Sequence, residues 1–321
     1  MHAIEVAQHG GPDVLVSVER PDPEPGPGEL LVRTDAIGVN FIDTYFRTGL
    51  YPSELPYVPG SEGTGTVVAV GDSVHDVAVG ERVSWCAAPG SYAELVRVPQ
   101  EVAVPVPGDV PAEQAASVLL QGMTAHYLLN SVHPAHPGET VLVHAGAGGV
   151  GLILTQLAAA KGVRVITTVS SDEKEALSRE AGAAEVLRYD DDIARRVREL
   201  TDGEGVAAAY DGVGAATFES SLASVRIRGT VALFGAASGP VPPFDLQRLN
   251  PAGSLFVTRP TLAHYTRTRD ELLWRATDVL GALADGTLKI RIGASYPLAE
   301  AARAHADLEG RRTTGSIVLI P

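Results

Sequence analysis

The chain has 321 residues, enough for two domains at about 100–200 residues each. Its 45% apolar and 20% charged residues describe a globular protein with ample core material. The single cysteine, Cys86, excludes an intrachain disulfide and any zinc site built on two or more cysteines. A net charge of −14 argues against polyanion binding through a basic surface, so no nucleic-acid partner is expected. No apolar run approaches the roughly 20 residues of a membrane helix, and Met1–Glu5 lacks the basic and apolar regions of a signal peptide. A cytoplasmic location without membrane partners is the expectation.

Along the chain, proline marks the main shift: thirteen of the 22 prolines precede residue 112, and none lies between Gly138 and Gly239. The early part reads as short strands between Pro/Gly turns, among them Leu30–Thr34, Gly65–Val70 and Arg82–Trp85, which suggests a small barrel or sandwich. From about residue 140 strand and helix alternate. Thr140–His144 is a short apolar run; Val150, Ile153, Leu154, Leu157 and Ala158 then recur at helical spacing, with Gly162 as a stop. Val163–Val169 is the second strand, and Ser171 is placed to cap a helix running to Ala181 and Gly182. Further strands are predicted at Glu185–Arg188, Val206–Tyr210, Thr230–Phe234 and Ser254–Val257, with Asp190-Asp191-Asp192 capping a helix that carries Arg195, Arg196 and Arg198 on a solvated face. A helix over Glu271–Ala284 and a strand over Ser316–Ile320 close the chain. Alternating βα units imply a parallel, doubly wound sheet. The expected architecture is an α/β chain: a β-rich domain (1–122 and 259–321) split by an inserted Rossmann domain (123–258).

Gly146-Ala147-Gly148-Gly149-Val150-Gly151 fits G-x-G-x-x-G, between a predicted strand and a predicted helix. In a dinucleotide site Gly146 permits the tight turn, Gly148 admits the pyrophosphate to the backbone, and Gly151 lets the helix pack against the sheet. The phosphates then meet the free N–H groups and dipole of a helix N-terminus. About 20 residues past the glycines an NAD site places an acid for the ribose 2′-hydroxyl. That position falls near Ser170, and Val165–Ser171 contains no acid. Ser170, Ser171 and Lys174 instead suit a 2′-phosphate, so NADPH is the expected cofactor, although Asp172 and Glu173 lie close by.

Three segments in one order, Ala36–Tyr45, Leu120–Ala125 and His144–Gly151, resemble the zeta-crystallin-like NADPH:quinone oxidoreductases of the medium-chain dehydrogenase/reductase superfamily. Val257–Pro260 and Arg311–Ser316 extend the similarity. The resemblance implies a GroES-like catalytic domain around the Rossmann domain, an active site between them, and a homodimer. It also implies that Asn40, Phe41 and Tyr45 line the nicotinamide end with Tyr51 nearby, and that Thr124 and Tyr127 sit at the domain junction. By the same similarity Gly149 and Val150 contact the pyrophosphate, and Ser170, Lys174, Tyr189 and Arg311 surround the 2′-phosphate. Phe234, Gly235 and Val257, Thr258 and Arg259 approach the nicotinamide from the other side.

Zinc alcohol dehydrogenases carry a cysteine near the position of Asn40 and a histidine before a glutamate; here that second motif reads Gly60-Ser61-Glu62-Gly63. No metal site is therefore expected, and reduction of an electrophilic quinone is favoured over alcohol oxidation. Tyr45 and Tyr51 are candidate donors to a developing oxyanion, or else aromatic packing. Asn40 is a candidate to orient the nicotinamide or the substrate carbonyl, or else a turn residue. His144 is expected to pack beside the first Rossmann strand. NADPH-dependent C=C reduction of enals, enones or enoyl thioesters is the alternative activity on this scaffold. An NADPH-binding sensor or structural, crystallin-like protein is the non-enzymatic one.

Overall fold

A computed structural model describes Met1–Pro321. The chain divides into two compact units. One comprises Met1–Leu120, Thr268–Ala284 and Ile290–Pro321, the other Gln121–Arg267 and Asp285–Lys289.

The first stretch of unit one carries strands β1 (His2–Val6), β2 (Leu15–Glu19) and β3 (Glu29–Val39), helix α1 (Phe41–Arg47), strands β4 (Glu62–Val70), β5 (Arg82–Trp85), β6 (Leu95–Pro99) and β7 (Val104–Pro105), and helix α2 (Ala112–Ala115). Helix α3 (Leu119–Tyr127) follows. Unit two then runs through β8 (Thr140–Val143), α4 (Gly149–Ala160), β9 (Arg164–Val169), α5 (Asp172–Glu180), β10 (Glu185–Arg188), α6 (Ile193–Glu199), β11 (Val206–Asp211), α7 (Phe218–Ser224), β12 (Val225–Leu233), β13 (Phe256–Thr258) and α8 (Leu262–Tyr265). The chain ends with α9 (Arg269–Ala284), β14 (Ile292–Pro297), α10 (Ala301–Glu309) and β15 (Ser316–Ile320).

In unit one a seven-stranded sheet runs β14-β15-β3-β4-β5-β7, with β6 also paired to β3, and β1 and β2 form a separate antiparallel pair. Ladders inside the sheet are antiparallel except β14 on β15. One core cluster packs Ile4, Ile37, Val39 and Tyr92 with Tyr296, Ile317 and Leu319; a second packs Leu30, Val32, Val83, Trp85 and Val96. The C-terminal strands thus complete the N-terminal sheet. Strands β1 and β2 and helix α1 were not anticipated: α1 is only seven residues long, too short to declare itself by periodicity.

In unit two six strands run β10-β9-β8-β11-β12-β13, all parallel. Numbered within the sheet this is the order 3-2-1-4-5-6 of a doubly wound nucleotide-binding fold. The central strand β11 is buried at every position, whereas edge strand β10 is largely half-buried; parallel strands covered on both faces read as continuous apolar runs. Ser171 caps α5 through its hydroxyl, and Asp192 caps α6. Gly162 and Gly182 take positive φ just after α4 and α5, the left-handed stop that favours glycine. Arg195 and Arg196 pair with Glu199 on the solvent side, but Arg198 turns inward to the carbonyls of Gly203, Glu204, Ala223 and Val225. The unit continues past residue 258 to Arg267, and Tyr265 stacks on Tyr127 with ring centroids 4.5 Å apart.

Candidate functional site

The residues named from sequence fall into two sets, one in each unit. In unit two they gather along the carboxyl ends of the parallel strands, where open α/β sheets bind ligands. The glycine loop leaves β8, with Gly148 at the N-cap of α4 and no side chain capping that helix. A helix N-terminus without a side chain from its own N-cap leaves amides that an anion can accept from.

The loop's geometry refines the reading of its glycines. The left-handed residue of the turn is Ala145 (φ +55), not Gly146. Gly146 is needed for space: a Cβ there would lie 2.5 Å from Thr167 Cβ. A Cβ on Gly151 would overlap the Ala145 carbonyl oxygen, so this glycine sets the approach of α4 to the loop. A Cβ on Gly149 would overlap the Gln121 side chain. Val150 is half-buried in the first turn of α4.

At the end of β9, Lys174 Nζ donates to Ser170 Oγ at 3.3 Å, and the Lys174 amide donates to Ser171 Oγ at 3.3 Å. Asp172 and Glu175 turn to Arg188, whose guanidinium reaches both carboxylates at 2.6 Å. Of the two acids that clouded the sequence reading, Asp172 is thus engaged by an arginine that it did not single out, whereas Glu173 is exposed on the first turn of α5. Tyr189, just after β10, accepts the Ala145 N–H at 2.9 Å and ties the third strand end to the glycine loop. Beneath that loop, His144 is fully buried between Thr168 Oγ1 (2.9 Å) and Ser221 Oγ (3.0 Å), and burial holds its pKa below the usual value. It packs, as expected. Ser221 in turn donates to Asp211, which also accepts from Thr217 and from the amides of Val213 and Gly214.

Beyond β12 the amides of Phe234 and Gly235 donate to the Asp211 carbonyl, and the Phe234 ring packs against Gly212. Val257 and Thr258 lie on β13, with Arg259 following. Thr124 and Tyr127 are buried in α3. A helix N-terminus with no N-cap side chain, a glycine cradle and a Lys/Ser pair fit a dinucleotide that carries a 2′-phosphate.

The unit-one set centres on α1. Asn40 is its N-cap, buried, and its Nδ2 donates to Glu62 Oε2 at 2.6 Å. Phe41, Tyr45, Phe46 and Tyr51 form an aromatic cluster, with ring centroids 6.0 Å apart for Phe41–Tyr45, 5.3 Å for Tyr45–Tyr51 and 5.6 Å for Phe46–Tyr51. The Tyr51 amide donates to the Tyr45 carbonyl at 3.0 Å, which fixes the turn that brings the two tyrosines together. Arg311 lies in this unit, after α10, with φ +55.

Behind α1 runs a polar chain that sequence reasoning missed. Asp43 Oδ2 accepts from the Asn40 amide and from Tyr92 Oη, both at 2.9 Å. Tyr92 Oη also meets His305 Nε2 at 2.9 Å, and His305 Nδ1 meets Arg47 Nη1 at 3.0 Å. Arg47, only 1% exposed, ends at Glu309, its Nη2 donating to both carboxylate oxygens at 2.8 and 2.9 Å. Burial pushes Asp43 up to about 6 and Glu62 up to about 8, and holds His305 down to about 3. Burial also raises the Cys86 thiol, which removes it as a thiolate nucleophile. No group of three or more His, Cys, Asp or Glu side chains is arranged to hold a metal ion, and the Asn40 carboxamide is engaged by Glu62. The residues present do not fit a catalytic zinc.

Residues 26–108 match the alcohol dehydrogenase GroES-like domain and residues 149–274 the zinc-binding dehydrogenase family. Together with the sheet orders above, these matches define a medium-chain dehydrogenase/reductase. A quinone oxidoreductase of Pseudomonas aeruginosa is 49% identical over 321 residues, covering 99% of each chain. A 2-haloacrylate reductase of Burkholderia is 42% identical, covering 99% of this chain and 98% of its own. A mycobacterial protein solved in complex with NADPH superposes with a TM-score of 0.98 at 60% identity, covering 100% of both chains. The chain belongs to the quinone oxidoreductase family.

Proposed function

We propose that this protein is an NADPH-dependent quinone reductase. The observation that carries the cofactor assignment is the Lys174–Ser170 pair at the end of β9, where an NAD site would hold an acid. The quinone assignment follows the relatives, the Pseudomonas aeruginosa enzyme above all.

Bound NADPH supplies the hydride from its nicotinamide ring. The protein's part is to bind, orient and exclude water. The first-turn amides of α4 hold the pyrophosphate, and Lys174 with Ser170 and Tyr189 holds the adenosine end. Phe234, Gly235 and the Val257–Arg259 stretch serve the nicotinamide. Asn40 orients the reacting carbonyl or the nicotinamide amide, with Phe41 flanking it. The Tyr45 and Tyr51 hydroxyls donate toward the oxygen that gains charge as hydride arrives. The test is fluorescence titration with NADPH and NADH, followed by NADPH oxidation with a quinone panel; absence of NADPH binding overturns the proposal.

The 2-haloacrylate reductase relative supports a second reading, reduction of activated C=C bonds on the same site. Parallel assays with quinones and alkenals separate the two by kcat/KM. We further propose a cytoplasmic homodimer. No helix is long and apolar enough to cross a membrane. Strand β13 is the open edge of the six-stranded sheet and exposes Phe256 (62%), with Ile227 (73%) on the adjacent strand β12, whose Thr230 pairs with Phe256. Light scattering that returns a monomer mass overturns the dimer.

A further inference from the structure

We infer that Glu62 is a positioning residue for the reaction: its side chain holds the Asn40 carboxamide in one orientation. The inference rests on the reading of Asn40 given above as a group at the reacting end.

Glu62 opens β4 and is fully buried. Its two oxygens are spoken for separately: Oε2 accepts from Asn40 Nδ2 at 2.6 Å and Oε1 from the Leu120 amide at 2.8 Å. Strand β3 makes room for it with a glycine, since a Cβ on Gly38 would lie 2.6 Å from Glu62 Oε2. The backbone of Asn40 is held independently, through its N–H to Asp43. Two acids therefore fix one residue, Asp43 its main chain and Glu62 its amide. A buried carboxylate is costly unless hydrogen-bonded, and the bonds it accepts are about twice as strong as neutral ones. Such a bond sets an angle more tightly than a neutral acceptor would. Misplacement of a reacting group by about 1 Å can cost on the order of 100-fold in rate.

Glu62→Gln separates positioning from structure. A glutamine can still accept the Leu120 N–H through its carbonyl, but then its NH2 faces the Asn40 NH2, donor against donor. The titratable groups facing Glu62 are Asp43 and Cys86. Between pH 7 and 9 the first is already ionised and the second stays neutral, so Glu62 alone changes state. Its protonated form mimics glutamine, and the contrast is therefore expected to be largest at pH 9.

The experiment compares wild type, Glu62→Gln and Asn40→Ala at pH 7 and 9, reading kcat, KM and the NADPH Kd by fluorescence. At pH 9 we expect Glu62→Gln to lose about tenfold in kcat with its NADPH Kd within about twofold of wild type. The wild-type to Glu62→Gln ratio is expected to be smaller at pH 7. In cofactor-free wild type, the Asn40 side-chain amide proton is expected downfield and protected from solvent exchange, a reading that needs no variant. Undiminished kcat in Glu62→Gln at pH 9, where Asn40→Ala is impaired, overturns the role of Glu62 and leaves the site reading standing. An unshifted, unprotected Asn40 amide overturns it as well. Full kcat in Asn40→Ala overturns the site reading and this inference with it.

Discussion

Lys174 Nζ, on the first turn of α5, lies 3.3 Å from Ser170 Oγ at the end of β9. Ammonium and hydroxyl together present donors where an NAD site would present an acceptor. Lys174→Ala is therefore expected to raise the KM for NADPH about tenfold, near the low end of a charge-assisted bond because the site is open to solvent. The KM for NADH is expected to stay nearly unchanged. Equal effects on the two cofactors would show that Lys174 does not read the 2′-phosphate.

The Tyr45–Tyr51 pair makes a second prediction. If their hydroxyls serve the developing oxyanion, loss of one donor costs about 10- to 100-fold in kcat and leaves NADPH binding intact. Tyr51→Phe keeps the edge-on ring contact with Tyr45 and removes only the hydroxyl. Unchanged steady-state kinetics in both Tyr45→Phe and Tyr51→Phe would assign the rings to packing.

The buried Arg47 cluster should matter to stability more than to chemistry. Arg47→Met removes the partner of His305 and Glu309 and an N–H donor to the Gly10 carbonyl. The cost is expected near the low end for a broken buried pair, about 3 kcal/mol, since Glu309 is a third exposed and regains water. Denaturant unfolding reads this directly; a loss below about 1 kcal/mol would mean that the methionine packs as well as the ion pair does.

Stability should also depend on pH through Glu62. The native state keeps its proton up to about pH 8, whereas the unfolded chain releases it near 4.5. Over that window the native state binds more protons, so stability falls as pH rises, by at most about 1.4 kcal/mol per pH unit. Asp43, held up to about 6, acts in the same sense at lower pH, while His144 and His305, with lowered values, act oppositely below about 6.5. From pH 7 to 8 Glu62 remains, together with the N-terminal amine, which the Asp22 hydrogen bond raises above its usual value and which acts in the same sense. Thermal melts of wild type should decline across that interval, and Glu62→Gln, which keeps only the N-terminal contribution, should decline less.

What could be read from the sequence alone is local. The Rossmann unit declared itself through apolar runs, the glycine cluster and caps such as Ser171, because each depends on residues within a turn or two of one another. The cofactor preference was legible for the same reason: Ser170 and Lys174 sit four positions apart on one strand-to-helix turn. Tyr45 and Tyr51 were named as a pair by resemblance, and the turn between them accounts for their contact.

Other features were settled only when the chain folded. Nothing in the run Asn40–Arg47 indicates that Asp43 meets Tyr92, that Arg47 meets His305 across 258 positions, or that Glu62 holds Asn40. Each of these contacts joins residues on different elements, and a buried charge is tolerable only where the fold delivers its partner. The left-handed Ala145 belongs to the same class, its turn stabilised by a Tyr189 hydroxyl from another strand end. Sequence by itself determined which cofactor cradle and which sheet this chain builds. Tertiary structure decided how the residues around Asn40 are held and charged, because desolvation and hydrogen-bond geometry are properties of the packed core.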